Sequence, residues 1–386
     1  VPALKVQPNG AVLKWARENK RKSPEEVAEK LGIELDTLVS WEAGKESVPL
    51  SKLKDLARVY KFALATFFLP EVPAQKLINP KFRTFDNVEA RNLSEQTIEA
   101  YRKARRNQRL YLNLLEESGE EYKFNFPHTS FRSNPETFAI DIRKFLEVPD
   151  GIHLKLRDKG AALKYWISSL EKHGLLVFQF TLLERGFSLE TENELPRVMV
   201  LSSSEYEGGR IFTIFHELAH ILIKDSKDAS YAQLEKFCNH FAGAFLVPQN
   251  RLFKSTNFVD YLKEFKDHWL VLLAGEFKVS QDVILGRLLN FKKITPEFYG
   301  MKIQTLRENY EKIRQLKRTK ESDGFPAPAR KTVMNTGLAV SKKFFSAYEN
   351  GVINTTELVQ YLDTTSHTLG NIRKEIDVAG TIRFTE

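Results

Sequence analysis

Cysteine is almost absent. The chain carries one, Cys238, in 386 residues, so no intrachain disulfide can form. That excludes a disulfide-stapled secreted scaffold and suits a reducing cytosol. Long apolar runs are missing too. The longest stretches, such as residues 62–69, fall well short of the ~20 residues that span a bilayer. Residues 1–10 lack the apolar core of a signal peptide. No internal repeat suggests a solenoid. The expectation is a soluble, cytoplasmic protein that makes no use of a membrane.

What is present allows two or three domains with a sizeable core, since 42% of the residues are hydrophobic. The formal charge of +8 makes nucleic acid a plausible partner. Residues 1–72 read as short helices broken by Gly and Pro. Residues 73–125 form a helical connector, basic at Arg102, Lys103, Arg105, Arg106 and Arg109. Residues 126–300 mix helices with a few strands. Residues 175–180 and 197–201 are the best strand candidates, being short, apolar and flanked by Gly or Pro. Residues 301–331 open as a basic helix and reach a breaker cluster, Gly324-Phe325-Pro326-Ala327-Pro328, read as a linker. Residues 332–386 form a small helical segment. The fold class expected is α+β, mostly α with a small β-sheet.

The chemistry is concentrated in residues 211–223, IFTIFHELAHILI. His216 and His220 are four apart in a helix-compatible run, so they share a face. Both imidazoles can reach one ion at the ~2.0–2.1 Å of zinc–nitrogen bonds. Glu217 lies beside them, where its carboxylate meets the reacting water rather than the metal. The bland alternative is two histidines packed in a core helix. A buried Glu between two buried His would then be costly without a task or a partner.

A catalytic zinc takes three protein ligands and keeps one open position. Residues 232–246 offer the third. Glu235, Cys238, Asn239 and Ala242 fall on one helical face, while His240 points away from it. Glu235 is preferred over His240, Cys238, Asp225 and Asp228, and Cys238 reads as a small buried hydrophobe. Tyr206, Arg210 and Tyr231 are open candidates for stabilising an oxyanion.

A second constellation lies near the amino terminus. Ser23-Pro24-Glu25-Glu26 is a strong helix start, with Ser as cap, Pro at the first position and acids in the first turn. That helix ends at Gly32, and a second spans 34–42. Two helices joined by a tight Gly turn are the helix-turn-helix signature, in which the second helix enters the major groove. The would-be reading residues are Glu34, Asp36, Thr37 and Ser40, with Lys45 and Lys52 on phosphate. Two of the readers are acidic, which repels phosphate, although a carboxylate can accept from a cytosine amino group. Residues 1–70 hold twelve Lys/Arg against nine Asp/Glu, so the module is only mildly basic.

Taken together, these stretches resemble the ImmA/IrrE family of metallopeptidases fused behind an XRE-type helix-turn-helix domain. The likeness is carried by Ala28-x-x-Leu31-Gly32, Trp41-Glu42-Ala43-Gly44, Phe67-Phe68-Leu69-Pro70 and Glu184-Arg185-Gly186-Phe187. It continues through residues 212–220, then Glu235-x-x-Cys238-Asn239-x-Phe241-Ala242, Phe245-Leu246-Val247-Pro248, Val279-Ser280 and Arg287-Leu288. It departs at Cys238, where the family usually has alanine. The resemblance implies a zincin-like metallopeptidase domain over 126–300. It implies zinc held by His216, His220 and Glu235, with Glu217 as the catalytic glutamate. It further implies a regulator that cleaves a specific protein or acts as an antitoxin without cleavage. Its partners would be a toxin or repressor and an operator near its own gene, bound as a homodimer.

Overall fold

Asn9, Ser23 and Ser94 each accept a hydrogen bond from a backbone N–H in the first turn of the helix they precede. Such caps satisfy donors that the helix itself leaves free. The computed structural model describes residues 4–20, 22–60, 62–73, 94–189, 195–319 and 327–380, without the side chains of 311–319. Residues 74–93 of the expected connector, Gly324-Phe325-Pro326 of the expected linker and the tail 381–386 lie outside the described residues. The chain divides into two units, Val1–Asn79 and Pro80–Glu386. It is mostly helical with two small sheets.

The first unit packs α1 (Gly10–Asn19), α2 (Pro24–Leu31), α3 (Leu35–Glu42) and α4 (Leu50–Tyr60) around Val12, Leu13, Ala16, Val27, Leu38, Leu53 and Phe67. Two short strands, β1 (Lys5–Val6) and β2 (Val48–Pro49), pair antiparallel. Gly10 lets α1 meet the end of α3, because a Cβ there would stand 2.6 Å from the Glu42 carbonyl oxygen. Arg17 of α1 grips the Glu42 carboxylate with two bonds, at 2.7 and 2.9 Å, and both side chains are nearly buried. This bidentate pair fixes the angle between α1 and α3.

The second unit begins with α5 (Glu95–Glu117), α6 (Pro135–Phe145), the single turn α7 (Ile152–Lys155) and α8 (Lys159–Glu171). Strands β3 (Leu176–Phe180), β4 (Gly186–Ser188) and β5 (Val198–Ser202) follow. Two of them fall on the expected stretches. The sheet order is β3-β5-β4, with β3 parallel and β4 antiparallel to the central strand. Every β5 residue is buried, as a central strand covered on both faces requires.

Helices α9 (Glu207–Leu222) and α10 (Tyr231–Leu246) cross the core together. The turn α11 (Gln249–Leu252) and helices α12 (Thr256–Glu264), α13 (Asp267–Glu276), α14 (Gln281–Asn290) and α15 (Pro296–Thr319) follow. Helix α9 is buried on nearly every face, so it has no solvated side to carry its polar residues. Among the described residues, no helix is long and apolar enough to cross a membrane.

The chain then returns to the sheet through α16 (Pro328–Thr336), α17 (Leu338–Glu349), α18 (Thr355–Tyr361) and α19 (Leu369–Gly380). Gly337 sits between α16 and α17 at φ +84°, where a Cβ would stand 2.8 Å from the Phe178 ring. Only glycine allows that close approach to β3. The basic residues of α5 are engaged here. Lys103 pairs with Asp363 at 2.7 Å, and Arg106 donates to the Gln360 carbonyl.

Candidate metal centre and helix-turn-helix face

Ser230 starts α10 with a capping box, in which Ser230 and Gln233 exchange bonds with each other's backbone N–H. This fixes the start of α10, one turn ahead of Glu235. His220 Nε2 then lies 3.2 Å from His216 Nε2 and 3.1 Å from Glu235 Oε1. His216 Nε2 stands 3.6 Å from Glu235 Oε2. Donors held ~2.0–2.1 Å from a tetrahedral ion stand about 3.3 Å from one another, so this spacing fits a divalent metal.

The chemistry of the donors fits as well. His216 Nδ1 is 3.0 Å from Asn239 Oδ1, so the proton belongs on Nδ1 and the Nε2 lone pair faces the cluster. Burial would raise the Glu235 carboxyl, but His216 and His220 hold it down to about 2. It is therefore an anion at neutral pH. Burial disfavours the charged form of His216, and the carboxylates of Glu235 and Glu217 outweigh it to raise the value. Glu217 is 2% exposed and lines the same cavity as His216 and Glu235, a space of about 2150 Å³.

The other third-ligand candidates lie elsewhere. His240 Nε2 is 2.7 Å from Glu136, whose carboxylate also pairs with the fully buried Arg287. Asp225 accepts from Ser130 Oγ at 2.6 Å and from the Phe131 N–H at 3.1 Å. Asp228 ends a short 3-10 turn outside the cluster. Cys238 is fully buried, and burial pushes its thiol up. Of the oxyanion candidates, Tyr206 stacks on Tyr310 at 5.1 Å and Arg210 donates to Gln179 at 2.8 Å. Tyr231 is exposed one turn before Glu235, on the same face. Sequence reasoning gave no role to Asn239. Its signal was present in the four-residue spacing from Glu235, which places both over His216 and His220 of α9.

On the helix-turn-helix unit, Glu34 occupies the cap position of α3 without making a cap bond, and Asp36 is exposed in the first turn. Thr37 and Ser40 are half-buried, and Lys45 is exposed. Lys52 is half-buried, and its ammonium donates to the Leu31 carbonyl at the end of α2. Leu35 and Val39 are exposed on α3 beside the acids.

Two histidines one turn apart and a carboxylate from the next helix form a group that could hold a metal ion, beside the buried Glu217. Residues 170–289 match the model of peptidase family M78, described as an IrrE N-terminal-like domain. Residues 10–66 match the model of a helix-turn-helix domain. No curated protein and no solved structure matches the chain. The chain thus joins an amino-terminal helix-turn-helix domain to an IrrE N-terminal-like domain.

Proposed function

We propose that this protein is a DNA-binding regulator whose zinc-dependent peptidase domain cleaves one specific regulatory protein, a toxin or a repressor. The observation that carries the reading is the convergence of His216, His220 and Glu235 beside the buried Glu217. These three side chains would hold the metal. A bound zinc ion supplies Lewis acidity and brings the pKa of its water near 7. Glu217 takes the proton of the attacking water and hands it to the leaving amine. Asn239 keeps His216 in the required tautomer, and burial of α9 limits bulk water around Glu217. A site with a purely structural metal has no use for a base at Glu217. The helix-turn-helix domain places the protein, as a homodimer, on a pseudo-palindromic operator near its own gene, with half-sites about one helical turn apart or a multiple of it.

Glu217→Gln tests the catalytic part. It preserves size and polarity and removes the base, so zinc content and folding should hold at the wild-type level. Cleavage of the partner should fall by a factor of at least ~10², the size of general-base effects. The comparison is made in the native host, on repressor integrity under stress and on growth when the neighbouring gene is expressed. Wild-type behaviour of Glu217→Gln in every such test sinks the peptidase and leaves a zinc-supported antitoxin.

A further inference from the structure

Helix α3 shows solvent a face made of hydrocarbon and carboxylate. Leu35 is 38% exposed and Val39 49%, and Ala43 is exposed one turn further on. Residues four apart stack along one side of a helix, so these three make an apolar stripe. Glu34 and Asp36 are exposed beside its first turn. Thr37 and Ser40 are half-buried, while Leu38 and Trp41 turn into the core. The exposed side chains of residues 34–43 therefore carry acceptor oxygens and hydrocarbon, with no N–H or O–H donor among them.

Neither exposed carboxylate serves the fold. Glu34 holds the cap position of α3 without a cap bond, where Ser23 of α2 accepts from the Glu26 N–H at 3.1 Å. Glutamate is not among the residues that cap well. Among the described residues, no hydrogen bond or ion pair engages the Asp36 side chain. Cations of the unit are engaged instead with other groups: Arg17 with Glu42, Lys22 with Glu26 and Lys52 with the Leu31 carbonyl. The helix dipole favours an acid in the first turn, but it does not account for a leucine and a valine beside it.

The major groove offers each base edge differently. Guanine shows two acceptors, which repel a carboxylate, and adenine sets its N7 acceptor beside its amino donor. Cytosine shows its N4 amino donor with no acceptor of its own next to it, and thymine adds a C5 methyl. Acceptors flanked by hydrocarbon match cytosine and thymine. The face lacks the guanidinium, ammonium and amide donors that pair with guanine or adenine. The same acids repel phosphate, so a duplex without the matching cytosine is held less tightly, and the repulsion becomes selectivity.

We propose that Asp36 selects a cytosine through its N4 amino group, and that Leu35 and Val39 select thymines through their C5 methyl groups, in each half-site. This rests on the DNA-binding reading of the helix-turn-helix domain. Full-length wild type selects from a library of random duplexes at low salt, and the enriched duplex becomes the probe. Replacing its selected cytosine with any other base should weaken binding at least about fivefold, the low end of a mismatch. Replacing the selected thymines with uracil removes only methyl groups and should weaken binding about fourfold for each. Asp36→Asn exchanges a carboxylate for an amide and should move the preference from cytosine to adenine. Leu35→Ala with Val39→Ala should make thymine and uracil duplexes bind alike. All three side chains are exposed, so folding should hold, as read by circular dichroism. A preference for cytosine that Asp36→Asn leaves unchanged, or duplexes bound tightly with no selected cytosine, overturns the readout and leaves the DNA-binding domain standing. A loss on uracil substitution that persists in the Leu35 and Val39 double variant overturns it too. Wild type that retains no duplex at low salt sinks the DNA-binding reading itself, and the readout with it.

Discussion

Asn239 Oδ1 lies 3.0 Å from His216 Nδ1, and Asn239 is one helical turn beyond Glu235. One helix therefore presents both a carboxylate to the cluster and the acceptor that orients one of its imidazoles. Asn239→Leu removes the acceptor at similar volume. Metal affinity, measured by competition with a chelator, should fall about 10–100-fold, while the thermal transition of the metal-free protein stays put. Unchanged affinity would leave His216 oriented by packing alone.

Glu235 and His240 separate by role. Glu235→Ala should strip the metal in gentle purification, read by elemental analysis. His240→Ala should retain it, because His240 is committed to Glu136 at 2.7 Å. The reverse order assigns the third donor wrongly.

Arg287 is fully buried and is answered by Glu136, with its Nε donating to the Val247 carbonyl at 3.0 Å. Glu136→Ala leaves that guanidinium buried and unpaired, at a cost of about 3–5 kcal/mol in denaturant unfolding. Burial would raise the Glu136 carboxyl, but His240 and Arg287 hold it down to about 2. A depressed carboxyl stabilises fully above its unfolded value near 4.5. The contribution is lost as pH falls from there through about 2. Unfolding curves across that window should be steeper in pH for wild type than for Glu136→Gln.

Glu171 behaves in the opposite sense. Its Oε2 accepts from the Ala339 N–H at 3.2 Å at the start of α17, while its Oε1 is buried with no hydrogen-bond partner of normal geometry among the described residues. Burial raises this carboxyl to about 8. The folded form then binds more protons than the unfolded form between about 4.5 and 8, so stability falls as pH rises through that window. Glu171→Gln should be more stable than wild type at pH near 8 and lose this pH dependence. Identical stability curves for the two proteins would reject the raised value.

Lys45 and Lys52 should part company on DNA. With a promoter fragment from beside its own gene, Lys45→Ala should weaken binding and reduce the salt slope by about one. Lys52→Ala should leave the slope alone and destabilise the helix-turn-helix unit by about 1 kcal/mol, through the lost bond to Leu31. Titrations at several salt concentrations, with thermal melts of both variants, decide it.

The sequence by itself determined the local pieces. The spacing of His216 and His220 put both on one helical face, Ser23-Pro24-Glu25 started α2, and apolar stretches before and after residue 190 became β3 and β5. Each of these depends on neighbours within a turn or a pleat, so periodicity and capping chemistry suffice. The strand β4 was not legible as a strand, because three residues are too few for a period. The spacing already favoured Glu235 over Asp225 and Asp228, but only the tertiary structure set its distance to the two histidines, tied Lys52 to Leu31 and gave Arg287 its partner in Glu136. It alone placed Arg330 and Lys331 in the cavity of Glu217, over a hundred residues away in sequence. Those meetings depend on how α2 and α4, α6 and α14, and α9, α10 and α16 cross, and crossing angles come from packed side chains of distant segments, which no local spacing records.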